Sequence, residues 1–407
     1  KDTEANVIST AINGIVEIIA QEGTKAGRFI QAFKLLDALS VDRTVALINK
    51  KLDDAGKPPL TKEQEAEVRR LKEESDNAPE GLPKSNALAA QYKYTQGLVG
   101  GNFKSIFEAY FYASILSGMT TQIRNIMANV MSINNELIIT SIREAFLGNP
   151  KAIFNATEGL IKGLSKGWLN AKHILETGVK SDRSDKFDAP VLLEWWRVNT
   201  NSKVLNKFLN YKFTPWSPNF LKYVQRAMVA GDQLFYHSAK EMQSYALASR
   251  IKNGKNVTPE DLKKAEEILS PPADSINKAE EQARKEGFEE GSTQFKIRVH
   301  ELMEGYRDMT IQGTSEEFAS KTTFNYEPEG ALSYMYNAIV SARQFQGVGP
   351  IVTTFIPFAR VLTNVFNRFL HYTPIGAITA ARGKVRVASG KTRVLSSEEK
   401  ADLYNNR

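Results

Sequence analysis

Gly163-Leu164-Ser165-Lys166-Gly167 carries the residue types of a nucleophile elbow, the turn that presents a serine for attack on a carbonyl. That chemistry needs a strand before the serine and a helix after it, so that strain pushes the hydroxyl out at the top of a sheet. Both flanks here, IFNATEGLIK and WLNAKHIL, have helical character, so close helix packing through small residues is the better reading. Ser389-Gly390-Lys391-Thr392 has the end of a phosphate loop, but Val385 stands where the first glycine of such a loop belongs. Gly347-Val348-Gly349 is a fragment of a dinucleotide loop and follows a helical pattern. The four histidines, His173, His237, His300 and His371, lie far apart. His300 and Glu304 share a helix face, yet two ligands do not make a metal site. Glu74 closes a polar helix, a poor place to raise a carboxyl pKa for glycoside cleavage. No catalytic constellation emerges, no cofactor is implied, and this stretch is expected not to be an enzyme.

Two long segments, Phe103 to Ile142 and Ala331 to Leu370, are almost free of charge. Residues 331–359 hold a single formal charge, Arg343. Inside these segments sit Arg124, Asn125 and Asn129, and then Arg360, Asn364 and Arg368 at i, i+4 and i+8. The second spacing puts three polar groups on one stripe of an otherwise apolar helix. Buried polar groups must be paired. One stripe can bond the other and fix helix register, or it can line a polar channel while apolar faces meet lipid or neighbours. The longest uncharged runs, Ala109–Ile123 and Gln344–Ala359, are 15 and 16 residues. Both fall short of the roughly 18–20 needed to span a bilayer unaided.

Net charge is +7 and unevenly spread. Residues 259–317 hold 15 acidic and 8 basic side chains, a local −7. Basic residues gather in 150–226, including Lys203, Lys207, Lys212 and Lys222, and in the run Arg382, Lys384, Arg386, Lys391 and Arg393. Such stretches suit phosphate backbones or anionic headgroups, or are merely solvated faces. Aromatics such as Trp168, Trp195 and Trp216 are interleaved with the first stretch, which fits base stacking, a membrane interface or ordinary core anchoring. The chain has no cysteine, which excludes disulfides and thiolate chemistry and makes it indifferent to redox compartment.

Helical periodicity runs nearly throughout: Val7 to Ile19, Phe29 to Leu36, and Val45, Leu47, Ile48 and Leu52, stopped by Gly56-Lys57-Pro58-Pro59. Thr61 with Gln64 is a capping box. Ser217-Pro218 starts a helix of more than thirty residues that ends at Asn253-Gly254; Thr258-Pro259 starts another, and Ser396 with Glu399 a short last one. Lys384-Val385-Arg386-Val387 alternates, for four residues only. The expectation is an all-α, elongated multi-helix bundle with little or no sheet. Four regions are expected: 1–85, with a charged hairpin or linker at 49–85; a central helical domain, 86–255; an acidic helical insertion, 256–315; and 316–407, with apolar helices and a basic tail. The start at Lys1, without Met, suggests an internal piece of a longer polypeptide.

SGMTTQIRNIMANV at Ser117–Val130 is similar to an S-G-x-x-T-x-x-R-N-x-x-x-N segment of very large virion proteins of tailed phages. FIPFARVLTNVFNRFLHYTPIG at Phe355–Gly376 resembles their P-F-x-R-T-x-x-N segment followed by T-P-x-G, with Val361-Leu362 inserted before Thr363 as a departure. RAMVAGDQLFYHSAKEMQSYALA (Arg226–Ala248) and EFASKTTFNYEPEG (Glu317–Gly330) fall between them in the expected order. The resemblance covers roughly residues 103–376 and implies an internal virion, or ejection, protein of a short-tailed bacteriophage. Such a protein is held in the virion interior and then moves to the host cell envelope (periplasm and inner membrane), where it builds a conduit. Its implied partners are itself as a homo-oligomer, other internal virion or portal proteins, the double-stranded DNA genome and the host membrane. Two other readings stay open: a helical accessory domain of a larger virion enzyme that cleaves peptidoglycan or handles DNA, and a cytosolic helical scaffold.

Overall fold

A computed structural model of the chain describes the backbone of residues 40–54, 56–99, 119–146, 148–180, 218–254, 257–324, 326, 332–342, 363–364, 384–386 and 392–394. Among these residues the fold is helical, with eleven helices and one short hairpin. The chain divides into two compact units, one of Ala32–Asp185 and Ala189–Thr323, the other of Lys1–Gln31, Lys186–Asp188 and Phe324–Arg407. The expected helices at 7–19 and 29–36, and the start at Ser396, lie outside the described residues.

The larger unit opens with three helices, α1 (Val41–Asp54), α2 (Lys62–Asn77) and α3 (Leu82–Val99). α1 buries Val45, Ile48 and Leu52 with Val68 of α2, and Tyr94 and Leu98 of α3 pack against them. The Thr61 hydroxyl accepts from the Gln64 N–H, and the Gln64 side chain accepts from the Thr61 N–H, so the capping box is complete. α2 is charged over much of its surface, yet it buries Val68, Leu71, Lys72 and Ser75 and is an integral helix of this bundle. Lys57 donates to the carbonyls of Leu98 (3.3 Å) and Val99 (2.9 Å), which sets a cation at the negative end of α3.

Around a central helix pack α4 (Met119–Phe146), α5 (Pro150–Thr177), α7 (Pro259–Leu269) and α10 (Met309–Thr322). That centre is α6 (Pro218–Lys252), 35 residues from the proline start to the Asn253-Gly254 stop. Gly159, Gly163 and Gly167 of α5 lie one above another on the face toward α6. A Cβ at Gly163 would stand 2.6 Å from the His237 carbonyl oxygen, and one at Gly167 2.7 Å from Leu234 Cα. The two backbones therefore touch, and the G-x-S-x-G motif is part of a packing seam in mid-helix. α5 ends at Gly178, whose φ of 76° suits glycine, and its last carbonyls are covered by Arg226, which donates to Leu175 and Glu176. The acidic segment forms α7, α8 (Ala273–Lys285) and α9 (Thr293–Gly305). Thr258 caps α7 with a second capping box, closed by Asp261.

The smaller unit shows α11 (Leu332–Ala342), a buried Thr363-Asn364 pair, and strands β1 (Lys384–Arg386) and β2 (Thr392–Val394). The strands are antiparallel, with Val385 opposite Arg393. Lys384–Arg386 of that alternation is thus a strand, made possible by a partner eight residues away in the sequence.

Candidate functional site

α4 has its polarity reversed. The residues it turns inward are Asn129, Ile133, Glu136, Thr140 and Glu144, spaced at three and four so that they form one stripe. The opposite stripe, Met127, Met131, Ile138, Ile142 and Phe146, is exposed; Met131 keeps 67% and Phe146 88% of its surface in solvent. α5 continues this outer face with Phe154, Ile161 and Trp168, one every seven residues, all exposed. A helix in a water-soluble core does the reverse.

The inward stripe is satisfied by α6, itself rich in buried polar groups. Asn129 Nδ2 donates to Asp232 Oδ1 at 3.5 Å. Glu144, fully buried, accepts from Arg250 Nε. Crowding around the Asp232 carboxyl pushes it up to about 7, against the smaller pull of Lys180 and Asn129. Isolated buried charge costs several kcal/mol, so these pairings are what let a polar stripe face inward.

A larger ion cluster joins α5, α6, α9 and α10. Lys166 of α5 lies 2.5 Å from Glu241 of α6 and 2.5 Å from Glu304 of α9. Lys240 of α6 pairs with Glu304 at 2.8 Å and with Glu316 of α10 at 2.9 Å. Arg307, just past α9, donates to both Glu241 oxygens at 2.9 and 3.1 Å. Three cations thus face three carboxylates. Burial opposes ionisation of Glu241, but Lys166 and Arg307 outweigh it and hold the carboxyl below its usual range. Burial likewise opposes ionisation of Glu304, and Lys166, Lys240 and Arg307 outweigh it. For Arg307, burial is overcome by Glu241 and Glu304, and its pKa is raised.

His237 sits beside this cluster, buried, with neither ring nitrogen meeting a hydrogen-bond partner among the described residues. Burial pushes it down to about 3, so it is neutral at pH 7. His173, on the inward side of α5, is pushed down to about 4 by burial. A cluster saturated by its own counter-charges fixes helix register; it offers no acid or base poised near neutrality. Glu301 of α9 is different. Partial burial pushes it up to about 7 against the Leu82 N–H and Arg298, both of which donate to it. No group of three His, Cys, Asp or Glu side chains among the described residues is placed to hold a metal ion.

The residues singled out from sequence fare unevenly. Asn129 and Asn364 are buried and paired, but not through the other polar stripe. Asn129 meets Asp232, while Asn364 Nδ2 donates to the carbonyls of Phe324 (2.9 Å) and Tyr326 (2.7 Å). Arg124 and Asn125 lie on α4, with side chains outside the described set, as are Arg360 and Arg368. Lys203, Lys207, Lys212, Arg382 and Lys391 are outside the described residues, and Lys222 is described in its backbone alone. In the hairpin, position 393 pairs with 385, so 384 and 386 fall on one face and 393 on the other. The reversed stripe of α4 and the Lys166–Glu241–Glu304 cluster were not singled out. Their only local signal is charge at core spacing, Glu136 with Glu144 and Lys166 between two glycines. No family model, curated protein or solved structure matches this chain.

Proposed function

We propose that this chain is a structural, self-assembling helical component of the genome-ejection apparatus of a short-tailed bacteriophage, carried inside the virion and released into the host envelope as part of a DNA conduit. Two lines support the reading. Four segments resemble those of large virion proteins, in order, between residues 117 and 376. The observation that carries it is the polarity of α4, which runs through the first of those segments with a polar stripe inside and an apolar stripe outside. A chain that leaves so much apolar surface uncovered is built to be covered by something else. Among the described residues no helix is long and apolar enough to cross a membrane, so conduit formation in this reading depends on assembly.

The test is to follow the polypeptide by quantitative mass spectrometry in purified particles and in host envelope fractions before and after infection. Presence in particles followed by transfer to the envelope is the expected result; absence from particles sinks the reading. Its electrostatic part has its own check. Charge reversal at Arg382, Lys384 and Arg386 is expected to weaken binding to double-stranded DNA or anionic vesicles, with a shallower salt dependence.

A further inference from the structure

We infer that the outer face of the α4–α5 hairpin is the surface on which a second copy of this chain packs. The inference deepens the proposed function, on which it rests for its biological setting, by naming where copies meet.

The face is long and continuous. From Ile126 to Phe146 α4 extends about 30 Å at 1.5 Å per residue. Met127, Met131, Ile138 and Ile142 run along it, and Phe154, Ile161 and Trp168 of the neighbouring α5 widen it. Together these side chains leave on the order of 1,000 Å² of apolar surface exposed, beyond the few hundred that a monomer ordinarily shows and comparable to the roughly 800 Å² each partner gives a standard interface. The composition is that of an interface core, rich in Met and aromatics and depleted in Lys, Glu and Asp.

Charge decides between occupants. No charged residue of α4 stands exposed between Ile126 and Phe146: Glu136 and Glu144 are buried, and Arg143 is half-buried beside Glu144. On α5, Lys162 and Lys172 are each paired one turn away, with Glu158 and Glu176, and an exposed Lys151 stands in the first turn, three residues before Phe154. Helices that lie on lipid surfaces carry unneutralised Lys and Arg beside their apolar face. A face with one cation, confined to one end, instead suits its own copy, because antiparallel packing about a two-fold axis keeps the two like charges apart.

The experiment uses the full 407-residue chain in sedimentation velocity over a concentration series. The wild type is expected to self-associate with an affinity in the micromolar range or tighter, and Met131→Lys with Ile138→Glu to weaken this by at least about tenfold. Both positions are exposed, so thermal unfolding of the dilute monomer is expected to be unchanged, which separates lost assembly from lost fold. Because the chain has no cysteine, Ile138→Cys and Ile142→Cys introduce single thiols. Oxidation is expected to link two chains through one of them, while the control Lys278→Cys, on α8, is not cross-linked. A wild type that stays monomeric at about 100 μM, far above that range, overturns the inference. So does assembly that the double variant leaves intact. A monomer that floats with phosphatidylcholine vesicles, and stops doing so in the double variant, also overturns it and assigns the face to lipid. Absence from particles with self-association intact would remove the proposed function and leave this surface standing; a chain found in particles whose assembly the double variant leaves intact would do the opposite.

Discussion

In α1–α3 polarity runs the ordinary way, whereas in α4 it is reversed and the helices it packs on bury charge beside small apolar clusters. Val45, Ile48, Leu52 and Val68 are inside the first bundle, and Arg70, Glu67 and Glu74 form ion pairs on its surface. In α4 the carboxylates of Glu136 and Glu144 are inside, and Met131, Ile138 and Ile142 are outside. Hydrophobic burial stabilises the first region wherever its helices slide by a little, because apolar contact is non-directional. Ion pairs and glycine contacts join small apolar clusters in the second, and those two fail if a helix slips by a residue. A buried ion pair adds little over a well-packed apolar pair but costs much when half of it is removed. The second region is therefore organised for register, and it leaves the apolar stripe of α4 on the outside, available for assembly.

The largest expected effect attacks this contrast directly. Glu241→Leu removes the carboxylate to which Arg307 donates and leaves Lys166 with Glu304 alone, and it is expected to destabilise the chain by about 3–5 kcal/mol in urea unfolding. Arg70→Ala, which removes two surface pairs of α2, is expected to leave the urea midpoint almost unchanged, because solvent screens both pairs. Similar costs for the two would mean that the cluster does not organise the second region.

A glycine pair sharpens the comparison at smaller scale. Gly163→Ala forces a methyl onto the α6 backbone, 2.6 Å from the His237 carbonyl oxygen and from Ser238 Cα, and is expected to cost about 1–3 kcal/mol as overpacking. Gly97→Ala in α3 meets nothing within 4 Å and is expected to stabilise by about 0.4–1 kcal/mol, because it restricts the unfolded chain. Opposite signs in the two regions, read from thermal or urea midpoints, are the expected outcome.

Helix ends were legible because their signals are local. Thr61 with Gln64, Thr258 with Asp261, and Pro218 with Gly254 each sit within one helix end or mark its two ends. The packing role of Gly163 and Gly167 was legible for the same reason, since spacing alone puts them on one face. The direction of the α4 faces was not legible. Periodicity separates Asn129 and Glu136 from Met131 and Ile138 but does not say which set points inward, and the usual rule gives the wrong answer here. Nor was the ion cluster legible, because Lys166 meets Glu241 across 75 residues and Glu304 across 138. Of the two polar stripes, only Asn129 and Asn364 are described with their side chains. Each asparagine finds a partner on another segment, an aspartate for one and two backbone carbonyls for the other.

The smallest net effect expected is the pH response between about 6.5 and 5, because two sets of groups oppose each other there. His173, His237 and His300 titrate below their ordinary range in the folded chain, at about 4, about 3 and about 4, so the unfolded chain binds protons first as pH falls below 6.5 and stability drops. Asp232 and Glu301 titrate above theirs, both at about 7, so the folded chain binds protons first and stability rises over the same window. Glu241 stays ionised in both states there until pH nears the ordinary carboxylate range, and so drops out. Asp232→Asn with Glu301→Gln keeps shape and hydrogen-bonding capacity while removing the stabilising set. The double variant is therefore expected to lose stability more steeply than the wild type between pH 6.5 and 5, measured as urea midpoints at matched ionic strength. A shallower slope in the variant would mean that the two carboxyls are already ionised at neutral pH and that the inward stripe of α4 faces a charged Asp232.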